Sequence, residues 1–167
     1  LIVSLAEAKD KDASPSSQRP GLLVARLLEG ASEDKASRVF DLTISNSTDS
    51  QILLTKFAVR WHYVRGMLKS VGQGFALVPV AKYVIDLPVD TADQSVKTFD
   101  QPMSPTIALP SGSVKTPSLV TLRVQLHYHF VGRFKHHLAG DCNIFFDIDA
   151  ITASGDKIQI FKDTNWR

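Results

Sequence analysis

From Gly21 onward the apolar residues recur with a period of two rather than 3.6. In RVFDLTISN, Phe40, Leu42 and Ile44 alternate with Asp41, Thr43 and Ser45, the mark of a strand with one buried and one wet face. The run QILLTKFAVRWHYVRG places Phe57, Val59, Trp61 and Tyr63 on one face and Lys56, Arg60 and His62 on the other. LVTLRVQLHYHFV repeats the pattern, with Leu122, Val124, Leu126, Tyr128 and Phe130 opposed to Arg123, Gln125, His127 and His129. LLVARLLE, QSVKTFD and the short apolar run in SPTIALPSGS read as further strands, and CNIFFDIDAI with DKIQIF as a hairpin around TASG. FALVPVAKYVIDLPVD is apolar enough for a strand, but a proline cannot donate to a ladder. Pro79 and Pro88 therefore mark a sheet edge or strand ends.

No amphipathic helix, heptad or internal repeat follows residue 20. Eight or nine strands joined by turn sequences predict an all-β fold, an antiparallel β-sandwich in a single domain over residues 21–167. Residues 1–20 read differently. LIVSLA is far shorter than the roughly 20 residues a membrane span requires. AEAKDKDASPSSQRP is charged, rich in Ser and Pro, and has no apolar period, so it reads as a flexible linker. With a first residue Leu1 rather than methionine, these features are expected of a piece of a longer, exported or membrane-tethered protein, its membrane contact lying outside this chain.

The strand rhythm over residues 21–162, with Trp61 in the third long strand, resembles immunoglobulin-like and fibronectin type III sandwiches. The chain lacks the two cysteines of antibody-type domains and shows no tyrosine-corner motif. The resemblance implies architecture and a neighbouring placement of the Trp61 and His127 strands; sandwiches host many unrelated functions.

Composition narrows the classes. At 167 residues, a domain of this size buries roughly 70% of its unfolded surface and needs no staple. Cys142 is the only cysteine, which excludes an internal disulfide and any site of several thiolates. A net charge of +2 does not indicate nucleic acid, and most strand aromatics have core parity rather than interleaving with charges. Phe145 alone has outward parity, beside Asp147. Charge is uneven, however. No acidic residue lies between Asp49 and Asp86, nor between Asp100 and Asp141.

Two candidate sites follow. If the Trp61 and His127 strands are neighbours, Lys56, Arg60, His62, Arg123, His127 and His129 form one basic sheet face for a protein, an anionic glycan or another anionic ligand. The loop GRFKHHLAGDCN adds Arg133, Lys135, His136 and His137. Alternatively, if the strands on either side of that loop pair, His127 and His129 lie across from Asp147. Two imidazoles and a carboxylate could then hold Zn²⁺ or a similar divalent ion. No nucleophile elbow, P-loop, H-E-x-x-H or dinucleotide fingerprint is present. The reading is a non-enzymatic, cofactor-free binding module, with a metal-binding protein or metal-dependent enzyme, or a structural spacer, as alternatives. Asn46-Ser47-Thr48 matches a glycosylation sequon and is equally a turn sequence.

Overall fold

The computed structural model describes residues 20–30, 37–65, 78–90, 92–131 and 142–162. Residues 1–19 of the linker and the loop carrying Arg133, Lys135, His136 and His137 lie outside the described residues. Eight strands are present: β1 (Leu22–Gly30), β2 (Ser37–Asn46), β3 (Ile52–Arg65), β4 (Ala81–Asp90), β5 (Lys97–Leu109), β6 (Ser118–Val131), β7 (Cys142–Thr152) and β8 (Lys157–Lys162). They form two four-stranded sheets, ordered β1-β2-β6-β4 and β5-β3-β7-β8, with no helix among the described residues. The protein is an all-β sandwich.

The period of two explains the core. Phe40, Leu42 and Ile44 of β2, Leu122, Val124 and Leu126 of β6, and Ile85 and Leu87 of β4 are buried on the inner side of one sheet. Phe57, Val59, Trp61 and Tyr63 of β3 meet them from the other, together with Phe146 and Ile148 of β7. Ile52 and Leu54 are also buried although their parity is opposite to that of Phe57. Against β7, Thr55 is an extra residue that shifts the register of β3 and rephases the strand. Burying each large side chain contributes roughly 1.5–3 kcal/mol. Phe40 packs edge-on against Phe146 across the sandwich at 5.7 Å between ring centroids.

Two expectations are corrected here. QSVKTFD and TIAL are not separate strands but parts of the continuous β5, which tolerates Pro102 and Pro105 because it is an edge strand. The pairings are antiparallel except one: β4 runs parallel to β6. β5 starts where β3 stops, with Lys97 opposite Trp61, and β4 leads directly into it. β4 therefore begins at the far end of the sandwich from the end of β3. The connection at residues 66–80 exceeds the dozen or so residues that such a return requires.

All four edge strands are blunted. β4 carries Pro88 and β5 its two prolines, while Ala25 bulges β1 and Ile160 bulges β8 between two lysines. Prolines, bulges and lysines each disrupt the flat row of backbone groups that would recruit another strand. A partner strand added to an edge is therefore disfavoured.

Candidate functional site

The predicted basic face is divided between the sheets. Arg123, Gln125, His127 and His129 lie on the outer side of β1-β2-β6-β4, whereas Lys56, Arg60 and His62 lie on the outer side of β5-β3-β7-β8. The neighbouring placement implied by the immunoglobulin resemblance is wrong for this pair, because β6 lies between β2 and β4 and β3 between β5 and β7. The same division separates His127 and His129 from Asp147, since β6 and β7 do not pair although they are consecutive. No group of three or more His, Cys, Asp or Glu side chains is placed to hold a metal among the described residues.

The outward cations are mostly met by acids. Arg123 grips Asp41 with two hydrogen bonds, Nε to Oδ1 at 2.6 Å and Nη2 to Oδ2 at 2.7 Å. That pairing lets Asp41, expected on a wet face, be buried, and it raises the Arg123 pKa. His127 Nδ1 lies 2.9 Å from the Asp86 carboxylate on the parallel strand β4. His129 is exposed opposite Pro88. On the other sheet, Arg60 donates to Asp147 Oδ2 through Nη2 at 2.8 Å and Nε at 3.2 Å, and Lys56 pairs with Asp100. His62 stacks on Phe145 at 5.3 Å, which accounts for the outward parity of that phenylalanine.

Asn46 is a turn residue in full. It is completely buried, and its Nδ2 donates to the carbonyl oxygens of Ser50 and Pro110 at 2.9 and 2.8 Å. Its Oδ1 accepts from the Thr48 amide and hydroxyl at 2.9 and 2.7 Å. The same corner brings the Gly112 amide to Thr48 O at 2.7 Å, and a Cβ on Gly112 would collide with the Asn46 carbonyl oxygen. A glycan on the Asn46 amide is incompatible with this folded corner.

The outer side of β5-β3-β7-β8 carries an open depression of about 540 Å³. Strand register dictates its plan. Ala58 lies opposite Asp100 on β5 and Asp149 on β7, and Asp149 lies opposite Gln159 on β8. The adjoining row is Thr98, Arg60, Asp147 and Lys162. The small alanine leaves space above β3 that longer neighbours enclose, and Lys157 completes the rim. Two of the three carboxylates are neutralised, Asp100 by Lys56 and Asp147 by Arg60.

Asp149 differs. Its carboxylate, about half-buried, has no hydrogen bond or direct ion pair among the described residues. Burial raises its pKa, and Asp147 adds to the rise; Lys157, Lys162 and Arg60 oppose it from a distance. Two residues from Asp147 on β7, Asp149 shares its outward direction. Ala58, Asp100, Lys157, Gln159 and Lys162 were missed because parity gives a residue's face but not which strands adjoin. No protein-family model, curated protein or solved structure matches this chain.

Proposed function

We propose that the protein is a non-enzymatic binding module, a sandwich of the immunoglobulin-like kind, whose recognition surface is the outer face of β5-β3-β7-β8. The observation that carries this reading is the depression over Ala58, lined by charged and hydrogen-bonding side chains from four strands, with a carboxylate that has no hydrogen-bond partner among the described residues. Its volume falls within the few hundred to about 1,000 Å³ usual for ligand sites. Lys56, Arg60 and His62 of the predicted basic face belong to this surface; Arg123, His127 and His129 do not. Support for the immunoglobulin-like kind comes from Trp61, buried on a central strand of its sheet.

Backbone amide shifts of the isotopically labelled protein test the reading. Neutral oligosaccharides, a lysine-containing peptide and a glutamate-containing peptide are titrated in turn. The reading expects at least one class to shift residues around Ala58, Asp149 and Gln159. Shifts confined to the outer face of β1-β2-β6-β4, or none from any class, would leave the spacer role as the better account.

A further inference from the structure

The ligand's chemistry follows from the charges around Ala58, and this step rests on the sheet-face reading above. Asp100 and Asp149 flank Ala58 from strands on either side, roughly 10 Å apart at the usual strand spacing. That gap admits a six-membered ring with a hydrogen bond at either side. Along β3, Lys56 and Arg60 stand two residues before and after Ala58.

A cation entering this space would meet Lys157 and Lys162, beside Arg60 and Lys56 that are already paired with Asp147 and Asp100. An anion would meet three carboxylates, one of them not neutralised by a direct pair. A neutral group that donates and accepts avoids both penalties. Hydroxyl groups do this: each donates to a carboxylate while accepting from a lysine, arginine or amide N–H. The Asp149 carboxylate supplies the acceptor, and Gln159 beside it supplies both an acceptor and donors. The Ala58 methyl offers a small apolar floor for the C–H side of a ring.

We infer that the depression binds a neutral, hydroxyl-rich ligand, a saccharide, with Asp149 accepting hydrogen bonds from its hydroxyl groups.

The test titrates the whole chain with cellopentaose, maltopentaose and chitotetraose, then with a sulfated oligosaccharide and a Gly-Lys-Gly peptide, following amide shifts and binding heat. A neutral oligosaccharide is expected to bind with shifts at Ala58, Asp149 and Gln159. Asp149→Ala should weaken that binding about tenfold or more, the scale of losing hydrogen bonds to a charged group. Val84→Ser, on the outer side of the other sheet, should leave it unchanged, and thermal unfolding confirms that both variants fold. Binding on this face by the sulfated sugar or the lysine peptide alone overturns the saccharide inference and leaves the sheet-face reading intact. Silence of this face toward every probe overturns both.

Discussion

Asp41 and Arg123 show how a residue's neighbours change its meaning. From parity alone Asp41 is a solvated acid and Arg123 a free cation, yet the two form a buried bidentate pair across β2 and β6. Arg123→Ala would take both of these charge-assisted hydrogen bonds from the buried Asp41 carboxylate. A loss of about 2–3 kcal/mol is expected, discounted because the guanidinium is partly exposed. Chemical unfolding would read it, and replacing both residues by leucine should recover much of the loss. Asn46→Ala removes the hub of the corner between β2 and β5 and should cost a similar amount, since several buried backbone groups lose their partner. An unchanged midpoint for Asn46→Ala would contradict the role given to that side chain.

At the scale of elements, strand identity was legible and strand adjacency was not. Alternating apolar residues identified β2, β3, β6 and β7, because a strand with one buried face must alternate. Pro79 and Pro88 pointed to a sheet edge or strand ends for an equally local reason, a missing N–H, and β4 is an edge strand. The partners of β6 depend on how the chain returns after β3, a long-range choice that no short window records. The basic face and the metal triad failed for that reason, each requiring β6 beside a strand of the other sheet. Asp149 shares the parity of Asp147, but its surroundings depend on Ala58 and Gln159 brought in from β3 and β8. The connection from β4 to β5 offers its own test. The Asp93 carboxylate is lowered to about 2 by hydrogen bonds from Ser95, then by Lys97. Carbon-13 titration of the carboxyl should show that midpoint. The stability it contributes is present above the usual carboxylate value and lost as pH falls through about 2.

For the whole molecule, two sheets with blunted edges share a core, and one outer face holds an acid without a hydrogen-bond partner among the described residues. A raised carboxyl pKa means that the folded state binds its proton more tightly than the unfolded state does. The resulting penalty is fully present above the folded pKa and vanishes below the unfolded one. Groups that serve binding are commonly kept at some cost in stability. The most direct measurement is thermal unfolding of Asp149→Asn beside the parent protein at neutral pH and again near pH 3. A neutral amide escapes the charge penalty, so a higher midpoint is expected at neutral pH, worth less than about 1 kcal/mol at this half-exposed site. The gain should fade in acid. A lower midpoint at neutral pH would mean that the fold already satisfies the Asp149 carboxylate, and would contradict its assignment to a ligand.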